Sequence, residues 1–244
     1  MDFTLRIYNE LLDSIIDYDF ESLVLRHDVD LLPMNSLRMA CLEARKGVFG
    51  IYYFRAVPES WDEGIIHEIN AQGHEIGYHY ESLTTCHGDI DAAYSDFCRH
   101  LDELRRLVPV KSICMHGSPR SAFDSKDIWK KYNYRALGIE NEPYLDTDFS
   151  KVFYLTDTGR RWDGYKVSVR DKIPHFQDKW AQEGLTFHST SDIIEGLRRG
   201  IIPKRLMMTV HPQRWNSFGL DWCKELLLQS AKNVVKRVIV MKKS

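Results

Sequence analysis

Paired cysteines, long apolar runs and a dominant charge are all missing from this sequence. Its five cysteines, Cys41, Cys86, Cys98, Cys114 and Cys223, are odd in number, scattered, and contain no Cys-x-x-Cys pair. That excludes a disulfide framework and a cysteine-rich zinc module, and it predicts reduced thiols and a cytoplasmic location. No apolar stretch approaches the length that crosses a bilayer, so no membrane span is expected. The opening Met1-Asp2-Phe3-Thr4-Leu5-Arg6 lacks the basic start and apolar run of a signal peptide. With 33 Lys and Arg against 35 Asp and Glu, the net charge of −2 points to neither nucleic acid nor an anionic membrane as a bulk partner. There is no repeat, linker or low-complexity segment.

What remains is an ordinary globular composition, 43% hydrophobic and 28% charged, which argues against disorder. A chain of 244 residues buries enough surface to fold without staples. Helical periodicity covers Thr4 to Asp17, Asn35 to Lys46, Ser60 to Gln72 with Ser60 as N-cap, Asp89 to Leu107, Ser191 to Arg199 and Leu220 to Val238. Between them lie short β-rich runs at 22–30, 48–54, 74–80, 112–115, 152–156 and 206–210. The segment from about 138 to 185 has no clear period. Strand and helix alternate without a break in composition, which predicts an α/β fold with a mainly parallel sheet in one domain, 1–244.

Arg26-His27-Asp28-Val29-Asp30 ends the first strand run. Side chains alternate along a strand, so Arg26, Asp28 and Asp30 share a face. Two carboxylates so close are costly unless a positive group stands between them. A divalent metal would serve. So would a simpler arrangement, in which one aspartate caps the next helix and Arg26 pairs with the other. Further polar clusters close the later strands: His79 and Glu81, His116 and Arg120, and His211. The C-terminal ends of parallel strands are where such folds place their sites.

Each residue also has a plainer reading. His79 and Glu81 are competent metal ligands, yet a strand-end histidine often only bonds backbone. His74, after the helix-ending Gly73, is expected to satisfy backbone groups, and Gly77 permits close backbone approach. Arg120 can hold a carboxylate, or it can belong to a simple turn. His211 can act as a general acid or merely bond backbone. Trp162, Tyr165 and Trp215 could stack on a sugar or pack inside.

Taken in order, Arg26-His27-Asp28-Val29-Asp30, Gly73-His74-Glu75-Ile76-Gly77-Tyr78-His79, His116-Gly117-Ser118-Pro119-Arg120 and His211-Pro212 resemble the polysaccharide deacetylase superfamily. These proteins are NodB-like, of carbohydrate esterase family 4, and the chain resembles most its divergent members with a His-Asp-Val-Asp first motif, found among bacterial surface-polysaccharide genes. The resemblance runs from about residue 20 to 215. It implies a distorted (β/α) barrel of about six or seven parallel strands and removal of an N- or O-acetyl group from a saccharide. It also implies one divalent metal, zinc first, with cobalt, nickel or manganese as alternatives.

By position, the resemblance makes Asp28 the catalytic base, Asp30 the metal aspartate and His79 the first metal histidine. It makes His211 the general acid and Arg120 the arginine that orients the base. The second family histidine would fall at 83, where this chain has Leu83, so Glu81 and His116 become the candidates for the missing ligand. Arg26, Trp162 and Trp215 are the candidate substrate contacts. The expected partner is a carbohydrate or other acylated small molecule, with no nucleic acid. Two other readings compete: hydrolysis of a non-peptide C–N bond in a small amide, and a catalytically silent carbohydrate-binding protein or scaffold.

Overall fold

The computed structural model describes residues 2–117, 121–162, 173–217 and 219–243. In chain order the elements are α1 (Leu5–Ile16), β1 (Ser22–Val29), α2 (Pro33–Arg45), β2 (Ile51–Phe54), α3 (Glu63–Ala71), β3 (Glu75–Tyr80), α4 (Ser82–Thr85), α5 (Ile90–Leu107) and β4 (Val110–Met115). They continue with α6 (Pro143–Asp146), β5 (Phe153–Thr156), α7 (Pro174–Gln182), α8 (Thr190–Arg198), β6 (Arg205–Val210) and α9 (Leu220–Lys243). The strands form one parallel sheet in the order β4-β3-β2-β1-β6-β5, and it does not close on itself. The predicted α/β class and six strands are therefore present, as an open sheet.

The chain packs as two compact units. One comprises residues 1–26, 45–48 and 148–244, the other 27–44 and 49–147. In the first, α1 sets Ile7, Tyr8, Leu11, Leu12 and Ile15 on its buried side. Thr4 caps this helix, its Oγ1 accepting the Ile7 N–H at 3.4 Å. Helix α8 packs against α1 and opens on a capping box in which Ser189 and Asp192 satisfy each other's backbone N–H.

The second unit holds a large core from β1 through β4, α3 and α5. Val29, Tyr52, Phe54, Ile66, Ile76, Tyr80, Phe97 and Ile113 are all fully or almost fully enclosed there. Each such side chain contributes on the order of 1.5–3 kcal/mol by leaving water. Ser60 is not the cap of α3. Asp62 takes that place, accepting the Ile65 N–H at 3.0 Å, and leaves Ser60 to bridge two other backbone groups. Its Oγ donates to the Val29 carbonyl and accepts the Arg55 N–H. A carboxylate is the better acceptor for the free N–H groups of a helix start.

The edge strand β4 is lengthened sideways by residues 140–141. Ile113 donates to the Asn141 carbonyl at 2.9 Å, and Glu140 to that of Lys111 at 2.7 Å. Glu142, fully buried, follows at once. It accepts the Met115 N–H at 3.0 Å and the Tyr80 hydroxyl at 3.3 Å, and it caps α6 through the N–H groups of Tyr144 and Leu145.

Gly77 lies on β3 beneath the ring of Tyr53. A Cβ placed there would stand 2.4 Å from Tyr53 ring atoms and 3.1 Å from the Ser112 carbonyl oxygen. The close approach expected at Gly77 is thus made by a ring on β2 and a carbonyl on β4. Gly77→Ala is expected to cost roughly 1–3 kcal/mol as overpacking, read as a lower urea midpoint at unchanged slope. Trimming the ring with Tyr53→Leu in that background should recover part of the loss. An unchanged midpoint for Gly77→Ala would show that Tyr53 yields at no cost.

Candidate metal centre

Strand alternation puts Asp28 on one face of β1 and sends its neighbour His27 to the other. His27, fully buried, reaches Glu43 on α2, Nε2 to Oε1, at 2.8 Å. Tyr52 donates its hydroxyl to the other Glu43 oxygen at 2.8 Å and stacks on His27, the centroids 4.0 Å apart. His74 completes the cluster. Its Nδ1 accepts the Gly50 N–H at 3.2 Å and its Nε2 faces the Ala40 carbonyl at 3.1 Å, the backbone role expected of it. Burial first of all holds the His74 imidazole below the usual histidine range. His27 and Glu43 thereby fasten the reverse side of the strand end that carries Asp28.

On the other side, side chains from β1, β3 and the residues just beyond β4 converge. His79 Nε2 is 3.7 Å from Asp28 Oδ2 and 3.7 Å from Asp30 Oδ1, and His116 Nε2 is 3.6 Å from the same Asp30 oxygen. The two imidazoles meet edge to face, with centroids 5.1 Å apart. Such separations are too long for hydrogen bonds. They match ligands sharing one ion, since donors about 2.0–2.2 Å from a tetrahedral ion stand roughly 3.3–3.6 Å apart. Asp30, His79 and His116 each offer a donor atom, and all three atoms lie within 4.8 Å of one another. A second group, Asp28, His79 and Cys114, meets the same criterion. The two groups share only His79.

The far nitrogens of both imidazoles are occupied. His79 Nδ1 faces the Cys114 carbonyl at 2.9 Å, and His116 Nδ1 faces Glu81 Oε2 at 2.8 Å. Each Nδ1 therefore carries its hydrogen outward and leaves Nε2 for the centre. Glu81 is in neither donor group. Its second oxygen accepts from Arg55 Nη2 at 2.6 Å and Nε at 3.1 Å. Burial alone would raise the Glu81 carboxyl, but His116 and Arg55 outweigh it and bring it down to about 2. Burial would likewise lower the His116 imidazole, and Glu81 and Asp30 more than offset that, so it titrates above the usual value. Leu83, at the position where the resemblance expects a histidine, is buried in a small apolar cluster with Ala93 and Ile128.

The other unit contains a second buried polar cluster. Asp157, just past β5, is fully buried and accepts from His211 Nδ1 at 2.6 Å, Arg214 Nη1 at 2.6 Å, Trp215 Nε1 at 2.8 Å and the His211 N–H at 3.0 Å. His211 is thus tied through Nδ1 to a carboxylate. The general-acid role that the resemblance gives it stays an expectation.

Trp215 is fully buried, packed on Phe3 and Tyr8 at centroid distances of 5.0 Å each. Trp162 is also buried and donates to Thr190 Oγ1 at 3.0 Å. Both indoles are interior packing with their N–H groups satisfied, and neither presents a face on which a sugar could stack. Arg26, the third candidate substrate contact, is fully buried too. Arg120 and Tyr165 lie outside the described residues.

Arg55, Cys114, Asp157 and Arg214 have structural partners here that the sequence motifs did not single out. Arg55 and Asp157 share one available signal, a charged residue directly after a β-rich run. No protein-family model matches the chain, and no curated protein matches its sequence.

Burial by itself would raise the Asp157 carboxyl, but Arg214 and His211 more than offset it and hold it below the usual carboxylate range. A depressed pKa contributes stability that is fully present above the ordinary aspartate value of about 4 and is lost as pH falls through the folded value. Asp157→Asn should therefore be less stable than wild type at pH 7, by about 3–5 kcal/mol, since Arg214 loses its buried partner. The gap should narrow as pH drops below about 4, as urea titrations at pH 7, 5 and 3 would measure. A gap independent of pH would mean that the Asp157 charge does not stabilise the fold.

Proposed function

We propose that this protein is a metal-dependent hydrolase of the NodB-like kind that removes an acetyl group from a saccharide. The observation that carries the reading is the convergence of Asp30 Oδ1, His79 Nε2 and His116 Nε2. One carboxylate and two imidazoles, each imidazole oriented by a bond to its other nitrogen, are a donor set suited to a borderline divalent ion. Zinc fits it best, and cobalt, nickel and manganese are alternatives. His116 supplies the imidazole that Leu83 cannot, so the altered family motif does not by itself mean a lost site.

A divalent ion held there would polarise an acyl carbonyl and make a neighbouring water more acidic. The protein's own part falls to the two aspartates. Asp30 belongs with His79 and His116, whereas Asp28 groups with His79 and Cys114. Asp28 takes the part that the resemblance gives it and accepts the proton of an attacking water at Oδ2. Its near-complete burial keeps competing bulk water away from that oxygen. Asp28 and Asp30 both stand at the end of β1, whose backbone is fixed by the His27–Glu43 pair behind and the Ser60 bond to Val29. The donors are therefore placed before any ion arrives, which keeps the ordering cost of binding low.

Metal content by mass spectrometry, alongside acetate release from N- and O-acetylated sugars, tests this reading. Wild type should carry close to one metal per chain, and His79→Ala should lose both metal and turnover. Asp28→Asn should keep the metal and lose at least about 100-fold in turnover. Full activity in Asp28→Asn would refute the role of that residue. Absence of metal in wild type after incubation with zinc would refute the centre.

A further inference from the structure

We infer that Arg55 and Glu81 form a positioning relay that holds His116 and Asp30 in the geometry needed to bind a metal. The inference rests on the metal-centre reading and adds two residues that touch neither ion nor substrate. One guanidinium serves two of the three donor-bearing segments. Its Nη1 donates to the backbone carbonyl of Asp30 at 3.2 Å, while Nη2 and Nε hold Glu81 Oε1 at 2.6 and 3.1 Å. The other Glu81 oxygen holds His116 Nδ1 at 2.8 Å. The chain Asp30 carbonyl, Arg55, Glu81, His116 is continuous, and its last imidazole turns back to Asp30 Oδ1 at 3.6 Å.

His116 needs this support because no regular element carries it. Strand β4 ends at Met115, and neither His116 nor Gly117 lies in a helix or strand. Its ring orientation and tautomer must come from side-chain contacts. In the neutral ring Glu81 accepts from Nδ1, which turns the Nε2 lone pair to the centre. Arg55 is itself anchored, since its backbone N–H donates to Ser60 Oγ, which in turn donates to the Val29 carbonyl on β1. Arginine suits the post because its planar fork reaches a carboxylate and a carbonyl at once, and lysine offers a single point of charge.

Zinc and cobalt titrations of the full chain test the relay, with three readouts: dissociation constant, visible spectrum of the cobalt-loaded protein, and melting temperature without metal. Glu81→Gln and Arg55→Met should each weaken zinc binding by about 10- to 100-fold and alter the cobalt spectrum. Arg55→Lys should fall between Arg55→Met and wild type. The metal-free melting temperatures of the variants should fall modestly, since each loses part of a largely buried ion-pair network, so affinity and the cobalt spectrum are the deciding readouts. Wild-type affinity and spectrum in Glu81→Gln would overturn the relay while leaving the centre intact. A lowered metal-free melting temperature with unchanged affinity would assign Arg55 and Glu81 a structural role only and would equally overturn it. If Glu81→Gln does not fold, Arg55→Lys decides by the same affinity measurement. Failure of wild type itself to bind zinc would instead refute the metal centre, and the relay with it.

Discussion

Burying a carboxylate is costly, and this fold does so repeatedly. Glu43 is held by an imidazole and a phenol, Glu142 by backbone N–H groups and a phenol, and Asp157 by an imidazole, a guanidinium and an indole. Each carboxylate fixes the segments that donate to it, since an unmatched charge in the interior would cost several kcal/mol. The polar networks are thus part of how strand ends are located. Asp28 is buried as well, and Asp30 is partly exposed. The imidazole nitrogens beside them stand 3.6–3.7 Å away, beyond hydrogen-bond reach and at the spacing of ligands around a shared ion.

Strand alternation explains how one short segment serves both needs. His27 turns to the interior, where Glu43 receives it, and Asp28 turns to the centre. A shift of β1 by one residue would exchange them and bury an aspartate against Glu43. The His27–Glu43 pair therefore works as a register lock for the residues that face the centre.

Much of this was legible in the sequence because it depended on local rules. Capping residues and periodicity located α1, α5 and α8. The polar residues at the ends of β1, β3, β4 and β6 stood out against apolar runs. Gly77 and His74 do what their neighbours implied. What escaped depended on partners distant in the chain. Glu81 and His116 were both eligible as ligands, and only a contact spanning 35 positions pairs one with the other. Arg55 belongs to no motif, and its place in the relay comes from Asp30 and Glu81, 25 and 26 positions away. Trp162 and Trp215 had the right chemistry for sugar stacking, but exposure is a property of the folded surface and no local pattern encodes it. Ser60 lost the cap of α3 to Asp62 because a charged acceptor lay two residues on, and the freed hydroxyl went to Val29.

The two-residue addition beside β4 bears on how the protein behaves in a crowded solution. An open sheet ends in a row of unmatched amides and carbonyls, and such a row invites another chain to extend it. Here residues 140–141 occupy part of that row, and buried Glu142 pins them through Met115 and Tyr80. The edge is partly filled by the chain itself. A few hydrogen bonds that contribute modestly to folding thus also occupy part of the place that a β4-like strand of a neighbouring molecule would take.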